Sequence, residues 1–96
     1  MRIEIEFIGF PMIYKIFPEG SHPYAFLGDT LSELIDELIK RHGQQFRELF
    51  LDQRTHTLDP TIQIMINRKY VGREDIPHQR IGEYDKVTFL RLLAGG

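Results

Sequence analysis

A short amphipathic helix constrains the fold of this chain more than any other feature. Thr30 stands before the helical segment and Glu33 follows three residues later, which is the capping-box pattern of a helix N-terminus. Basic residues at 40–42 occupy the last turn, and Gly43 supplies the C-terminal stop. The apolar residues recur at helical spacing in one stripe: Leu31, Leu34, Ile35, Leu38 and Ile39. Because a helix of about a dozen residues is not stable alone, we expect this stripe to cover a sheet.

The polar side of the same helix carries acidic and basic residues at matched spacing. Asp36 precedes Lys40 by four residues and Glu37 precedes Arg41 by four, which is the favourable order for ion pairs along a helix. We interpret these carboxylates as the solvated face of the helix rather than as a general acid and base.

An alternating segment at the N-terminus predicts the first strand. Over residues 2–10, apolar side chains fall on one face and charged side chains fall mainly on the other, as in a half-buried strand. The next apolar run, residues 12–17, is a candidate hairpin partner, and a turn-rich insert follows it over 18–23. The sequence leaves open whether 12–17 and 24–27 are two strands or one interrupted strand.

Two later segments, 61–67 and 86–92, alternate in the same way and predict further strands. A turn at 67–69 leads to a brief edge strand at 70–71, whereas 46–51 is apolar but of undetermined type. The order of a hairpin, a helix and then strands predicts an α+β fold, with one main helix packed on one face of a mixed sheet of four or five strands. The length of 96 residues fits a single domain.

Composition argues against several classes of protein. The net charge of -2 leaves no broad basic surface for nucleic acid. The chain has no cysteine, so it has neither a disulfide framework nor a thiol nucleophile, and it fits a reducing compartment. The N-terminal residues lack the continuous apolar stretch of a signal peptide, and no window approaches a membrane span. We therefore expect a cytoplasmic protein with neither nucleic acid nor membrane as its partner.

The polar residues do not form a recognisable catalytic or metal-binding pattern. No two of the four histidines share a metal-ligand spacing, and each lies near a predicted loop or element end, which favours a solvated surface position. The histidines are His22, His42, His56 and His78. The sequence predicts no catalytic residue, no metal and no bound cofactor.

Five segments follow one another in a distinctive order. They are the opening strand MRIEIEFIGF, the helix GDTLSELIDELIKRHG, the strand and turn IQIMINRKYV, the connector IGEYDKVTF and the ending LLAGG. A terminal Gly-Gly alone arises by chance in about one chain in 200, but all five segments in this order are more specific. Together they resemble the ubiquitin-like β-grasp sulfur carriers of the ThiS/MoaD family, which include the small subunit of molybdopterin synthase. The resemblance implies a β-grasp domain over residues 1–92 and a flexible diglycine tail over 93–96.

The resemblance also implies a chemistry for the tail. In the family, a partner adenylyltransferase of the MoeB/ThiF type uses ATP to convert the terminal carboxylate into an acyl-adenylate. A sulfur donor then supplies the sulfur of a thiocarboxylate, which the large subunit of an acceptor synthase uses. The reacting group here is the carboxylate of Gly96, and Gly95 and Gly96 carry no side chain that would collide with a narrow channel. The resemblance assigns Leu92, Leu93 and Ala94 to the approach to that channel.

A second implication concerns a docking surface. In the family's fold the first and last strands lie side by side and parallel at the sheet centre. Three apolar side chains on the face that the helix does not cover then become neighbours: Ile8, Met65 and Leu90. We interpret them as a partner-docking patch. The alternative is that the insert at 11–23 folds over and buries them.

Three functions are compatible with these features. The leading prediction is a sulfur carrier, with molybdopterin-type cofactor biosynthesis ahead of thiamine biosynthesis. The second is a ubiquitin-like modifier, whose activated terminus is passed to a lysine. The third is a β-grasp protein-binding module in which Gly-Gly has no role. Because the segments 11–23 and 52–60 are longer than in simpler members, the pathway (molybdopterin, tungstopterin, thiamine, tRNA thiolation or protein conjugation) stays undetermined.

Overall fold

The computed structural model describes residues 1–91, which form a five-stranded mixed sheet with two helices. In chain order the elements are β1 (Arg2–Ile8), a 3₁₀ turn (Pro11–Ile13), β2 (Ser21–Ala25), α1 (Leu31–His42), α2 (Gln44–Phe50), β3 (Ile62–Ile66), β4 (Lys69–Tyr70), a second 3₁₀ turn (Arg73–Asp75) and β5 (Lys86–Arg91). The predicted α+β class, with a sheet of four or five strands, is confirmed. Within residues 1–91, both helices are too short and too polar to cross a membrane.

The two terminal strands occupy the centre of the sheet. The strand order is β2-β1-β5-β3-β4, and β1 pairs with β5 in parallel while the other pairs are antiparallel. Parallel neighbours cannot be joined by a tight turn, so the chain between β1 and β5 includes α1 and the rest of the sheet. This is the β-grasp arrangement that the resemblance implied.

Apolar side chains from the inner face of the sheet pack against the helices. All five residues of the predicted α1 stripe are buried, as are the alternating apolar residues of β1. Phe7 of β1 stacks on Phe89 of β5, with ring centroids 5.0 Å apart and an interplanar angle of 14°. The ring centroids of Phe46 and Phe50 of α2 lie 6.1 and 6.0 Å from that of Phe7. The two central strands therefore meet in an aromatic core.

Local signals determine both ends of α1. The Thr30 side chain accepts a hydrogen bond from the Glu33 backbone N–H at 3.3 Å, and Glu33 Oε1 accepts one from the Thr30 N–H at 2.9 Å. The predicted capping box is therefore confirmed. At the other end, Gly43 adopts a φ of +80° and its N–H donates to the Ile39 carbonyl at 2.7 Å.

The prediction of the hairpin partner was wrong. Residues 12–17 form no strand but a 3₁₀ turn and further turns, and the partner of β1 is β2, which begins inside the predicted turn-rich insert. Pro23 is tolerated in β2 because β2 is an edge strand, where a proline does not remove a hydrogen bond of the sheet. Its partner in β1 is Glu4. The Glu4 N–H points away from β2 and donates to the Asp85 carbonyl, just before β5, at 2.9 Å. β1 also ends at Ile8 rather than at residue 10, and the next residue, Gly9, adopts a φ of +87°.

Three further elements were refined by the structure. Of the undetermined segment 46–51, residues 46–50 belong to α2 and Leu51 is extended, and the brief edge strand is Lys69–Tyr70. The turn before it contains Asn67 and Arg68, both with positive φ (51° and 71°), as in a two-residue type I′ hairpin.

Candidate functional site

β1 and β5 end next to each other, and β5 ends two residues before the predicted tail. Gly9 follows β1 and approaches the end of β5 so closely that a Cβ atom at this position would lie 2.8 Å from the Arg91 carbonyl oxygen. Arg91 is the last residue that the structure describes. The predicted tail and reacting terminus lie outside the described residues: Leu92, Leu93, Ala94, Gly95 and Gly96.

The structure brings together the three residues of the predicted docking patch. Ile8 of β1 and Leu90 of β5 are direct partners across the parallel pair. Met65 of β3 faces Thr88, so it lies diagonally next to Leu90 on the same face of the sheet. Ile8 is 42% exposed, whereas Met65 and Leu90 are half-buried. The placement is as predicted, and docking itself stays a prediction.

Tyr70 adds a fourth apolar side chain that the sequence analysis missed. It pairs with Met65 across the hairpin of β3 and β4, and it is 65% exposed. A two-residue turn at Asn67–Arg68 determines this register. The signal was present in the sequence, because a type I′ turn fixes which residues of its two strands face each other.

The segment between β1 and β2 lies beside Ile8 but does not bury it. Its own apolar residues Phe10, Ile13 and Phe17 are turned into the core, and Ile8 stays exposed. Met12 and Ile16 of the same insert are also exposed. The insert therefore adds apolar surface to the chain instead of removing it.

Polar groups lie next to the patch on the same face of the sheet. The Lys86 ammonium lies 3.1 Å from a Glu6 carboxylate oxygen, and the Thr88 hydroxyl donates to the same oxygen at 3.4 Å. Thr88 is nearly fully buried although it belongs to the outer face of β5. The outer face is thus charged around Glu6 and Lys86 and apolar around Ile8 and Leu90.

The helix carboxylates differ from the prediction. Neither predicted ion pair of α1 is formed among residues 1–91. Glu37 instead accepts hydrogen bonds from the Tyr24 hydroxyl at 2.7 Å and the Leu27 N–H at 3.1 Å, while the Arg41 guanidinium lies 4.9 Å from the centre of the Tyr24 ring. Burial, together with the hydrogen bond to Glu37, raises the pKa of Tyr24. Glu37 thus joins α1 to the edge strand β2 and to the Leu27 backbone.

The solvated-surface interpretation was wrong for His42. Its ring stacks on Phe46 with centroids 4.6 Å apart, and Phe17 approaches it at 5.5 Å. The Nε2 atom is buried and has no hydrogen-bond partner among residues 1–91. Burial, and secondarily the charge of Arg41, lowers the pKa of His42. The contacts make His42 part of the packing between α1, α2 and the insert.

Two neighbouring open clefts of the described chain are lined mainly by apolar surface. One of about 530 Å³ lies between β3, β4 and the second 3₁₀ turn, and a neighbouring one of about 450 Å³ lies beside α1. The Arg73 guanidinium borders both, but it donates to the carbonyls of Leu58, Asp59 and Ile62 at 3.2, 2.9 and 2.8 Å. Within residues 1–91, no three histidine, cysteine, aspartate or glutamate side chains are grouped for a metal ion. The predicted absence of a metal and of a catalytic residue stays a prediction.

Solved structures with the same fold include a named modifier and a named complex. Small archaeal modifier protein 1 (SAMP1) of Methanosarcina acetivorans has a TM-score of 0.74 at 12% identity, covering 99% of this chain and 96% of that chain. Urm1 of Trypanosoma brucei has a TM-score of 0.72 at 22% identity, with coverage of 99% and 95%. The Amycolatopsis orientalis BexX/CysO complex contains a chain with a TM-score of 0.69 at 22% identity, with coverage of 98% and 99%. These likenesses show the fold.

Sequence comparison shows the family. No curated protein sequence matches the chain. A family model, described as the ThiS family, matches residues 25–96, which is well over half of the chain and includes α1, β3, β5 and the terminal glycines. The segment before it, with β1 and the insert, completes the same fold in the structure. The protein belongs to the ThiS family.

Proposed function

We propose that this protein is a sulfur carrier whose terminal Gly96 carboxylate is adenylated by a partner enzyme and converted to a thiocarboxylate. Among the pathways that such a carrier could serve, we place molybdopterin-type cofactor biosynthesis first. The observation that carries the proposal is the parallel pairing of β1 and β5. It sets the exposed Ile8 beside Leu90, one residue before the last described position. Membership of the ThiS family supports the same function.

The chemistry takes place at the chain terminus. The Gly96 carboxylate attacks the α-phosphate of ATP, pyrophosphate leaves, and an acyl-adenylate forms. A sulfur nucleophile at the oxidation level of sulfide then forms a C–S bond at the same carbonyl carbon, and AMP leaves with the bonding electrons of the C–O bond. The product is a thiocarboxylate. Gly95 and Gly96 suit this step because a tail without Cβ atoms reaches a narrow channel at no steric cost.

The chain itself supplies a reacting group and a docking surface. Ile8, Met65 and Leu90 would bind the partner, while Leu92, Leu93 and Ala94 would line the approach to its active site. ATP is a substrate of the partner enzyme, and no bound cofactor is assigned to the carrier. The partners are an adenylyltransferase of the MoeB/ThiF type, a sulfur donor and the large subunit of an acceptor synthase. This chemistry requires ATP and reduced sulfur, and thus suits the cytoplasm.

A protein modifier is the second candidate function. It is favoured by the structural likeness to a protein named as a small archaeal modifier. The likeness to a chain of the BexX/CysO complex is compatible with either function, because it shows only that a neighbour binds another protein. Both functions begin with adenylation, so the product separates them. A modifier forms an isopeptide bond with a lysine, and a carrier forms a thiocarboxylate.

The test is the intact mass of the protein isolated from its natural host without reductant. A carrier gives a fraction that is heavier by the difference between sulfur and oxygen, and deletion of Gly96 abolishes that fraction. A series of larger conjugates, also abolished by the deletion, would replace the carrier with the modifier. A terminus that stays unmodified and inert towards ATP and the host's activating enzyme would leave only a protein-binding module.

A further inference from the structure

The Arg91 side chain is held at the point where β5 ends. Its guanidinium lies 5.4 Å from the centre of the Phe10 ring, and Nη2 lies 3.8 Å from a carboxylate oxygen of Asp59. Only 20% of the Arg91 side chain and 25% of the Asp59 side chain are exposed. An arginine buried to this extent usually has partners, and here they come from two different segments of the chain.

Asp59 is itself held in place before β3 begins. Its Oδ1 accepts hydrogen bonds from the Thr61 N–H at 2.8 Å and the Thr61 hydroxyl at 2.6 Å, and its backbone N–H donates to the Phe50 carbonyl at 2.7 Å. Burial raises the pKa of Asp59, but the hydrogen bonds from Thr61 and the charges of Arg91 and Arg73 outweigh burial and lower it. Asp59 therefore presents a negative charge to Arg91 at neutral pH.

The backbone at the same position is held as well. Arg91 pairs with Ile62 of β3 on one side. On the other side, Gly9 lies so close to the Arg91 carbonyl that a Cβ atom would not fit. The end of β1, Phe10 and the start of β3 thus converge on Arg91, which directly precedes Leu92, the first residue of the predicted approach to the partner's channel.

We propose that Arg91 is a positioning residue, which Asp59 and Phe10 clamp so that the end of β5 is held in one position relative to β1 and β3. The proposal rests on the proposed function, because its benefit is the presentation of Gly96 to an activating enzyme. If the end of β5 is fixed before binding, the conformational entropy lost when residues 92–96 enter the partner is smaller. It also limits displacement of the reacting carboxylate, to which reaction rates are very sensitive.

The clamp is better explained by positioning than by stability. An ion pair of this length that is still partly exposed contributes little to stability. Lys86 and Glu6 form a shorter ion pair at 3.1 Å near the other end of β5. That pair lies away from the tail, so it serves as a matched control.

The test measures ATP–pyrophosphate exchange by the activating enzyme of the same organism at varied carrier concentration. Asp59→Asn removes the charge but keeps Oδ1 as the acceptor for Thr61. We expect this variant to lower kcat about three- to fivefold, because a weak ion pair cannot bias the position of Arg91 more strongly. Arg91→Ala also loses the Phe10 contact and should lower kcat about tenfold. Both variants should leave KM within about twofold because the docking patch is unchanged. Arg91→Lys keeps a cation and should recover most of the rate, and Lys86→Ala should change neither constant.

Several outcomes would overturn the clamp. A higher KM at unchanged kcat, with Asp59→Asn behaving like the wild type, would make Arg91 a direct partner contact. An equal loss in Lys86→Ala would make the effect a general property of β5. Independently of any partner, nuclear Overhauser contacts between the Phe10 ring and the Arg91 side chain should be present in the free protein and lost in Asp59→Asn. Their absence from the wild type would refute the clamp, whereas their presence without any exchange activity would refute the proposed function alone.

Discussion

Replacing Gly9 with alanine tests how tightly the ends of β1 and β5 are held together. Gly9 has a φ of +87°, and an added Cβ atom would lie 2.8 Å from the Arg91 carbonyl oxygen and 3.4 Å from the Arg91 Cβ atom. The first contact is with backbone, which cannot rotate away as a flexible side chain would. The substitution therefore strains both the conformation of residue 9 and the pairing of the two central strands.

Two contributions determine the expected loss of stability. The left-handed conformation costs an L residue about 1–2 kcal/mol. Forcing an extra methyl group into a packed site costs about 1–3 kcal/mol more. We expect Gly9→Ala to lower the free energy of unfolding by about 3 kcal/mol, which a domain with a stability of about 5–15 kcal/mol survives.

Gly20 provides the matched control in urea unfolding followed by circular dichroism. It also has a positive φ, of +103°, but an added Cβ atom would meet nothing within 4 Å. Gly20→Ala should therefore show the conformational cost alone, about 1–2 kcal/mol. If Gly9→Ala is no more destabilising than Gly20→Ala, the close approach of Gly9 to β5 is not rigid, and the argument for a held strand end fails.

Three further predictions concern the helix cap, the buried histidine and the patch. Thr30→Ala should lower the free energy of unfolding by about 1 kcal/mol, and an unchanged urea midpoint would show that the capping box contributes nothing. Because the pKa of His42 is lowered by burial and by Arg41, the unfolded chain binds more protons as the pH falls below the ordinary value of 6.5. The wild type should therefore be more stable than His42→Gln by a constant amount above pH 6.5, and this difference should decline as the pH falls through the folded-state pKa. If the free energies of unfolding of the two proteins change in parallel with pH, the prediction is contradicted. Ile8→Asp should raise the KM of the activating enzyme for this protein about fivefold or more. Leu27→Asp is the control, because Leu27 is 84% exposed and lies away from the patch, and it should leave KM unchanged. Equal effects of the two substitutions would contradict a docking role for Ile8.

The elements predicted best from the sequence are those that depend on nearby residues. The capping box and the apolar stripe of α1 follow from contacts between residues three and four positions apart, and the inward faces of β1, β3 and β5 follow from a period of two. The register at Tyr70 was also within reach, since it depends on a two-residue turn.

The errors arose where distant contacts outweigh local preference. Pro23 reads as a turn residue, but it fits a strand once that strand lies at the edge of the sheet. The short apolar pattern at 46–51 is equally compatible with a helix and with a strand. Residues 46–50 belong to α2, where Phe46 packs against Phe7 of β1. The partial burial of His42 depends on Phe17 and Phe46, which come from separate segments and meet at its ring only in the folded protein.

The sequence by itself determined the inner faces of the central strands, the one main helix and the diglycine ending, because periodicity, capping and composition are properties of neighbouring residues. The family resemblance placed Ile8 near Leu90, but only the tertiary structure decided that the two residues pair directly and that Phe10 and Asp59 meet at Arg91. Those contacts join residues about 30 to 80 positions apart, and their existence depends on the parallel pairing of the two ends of the chain. No local pattern encodes that pairing, because it is the shared burial of the whole core that selects it.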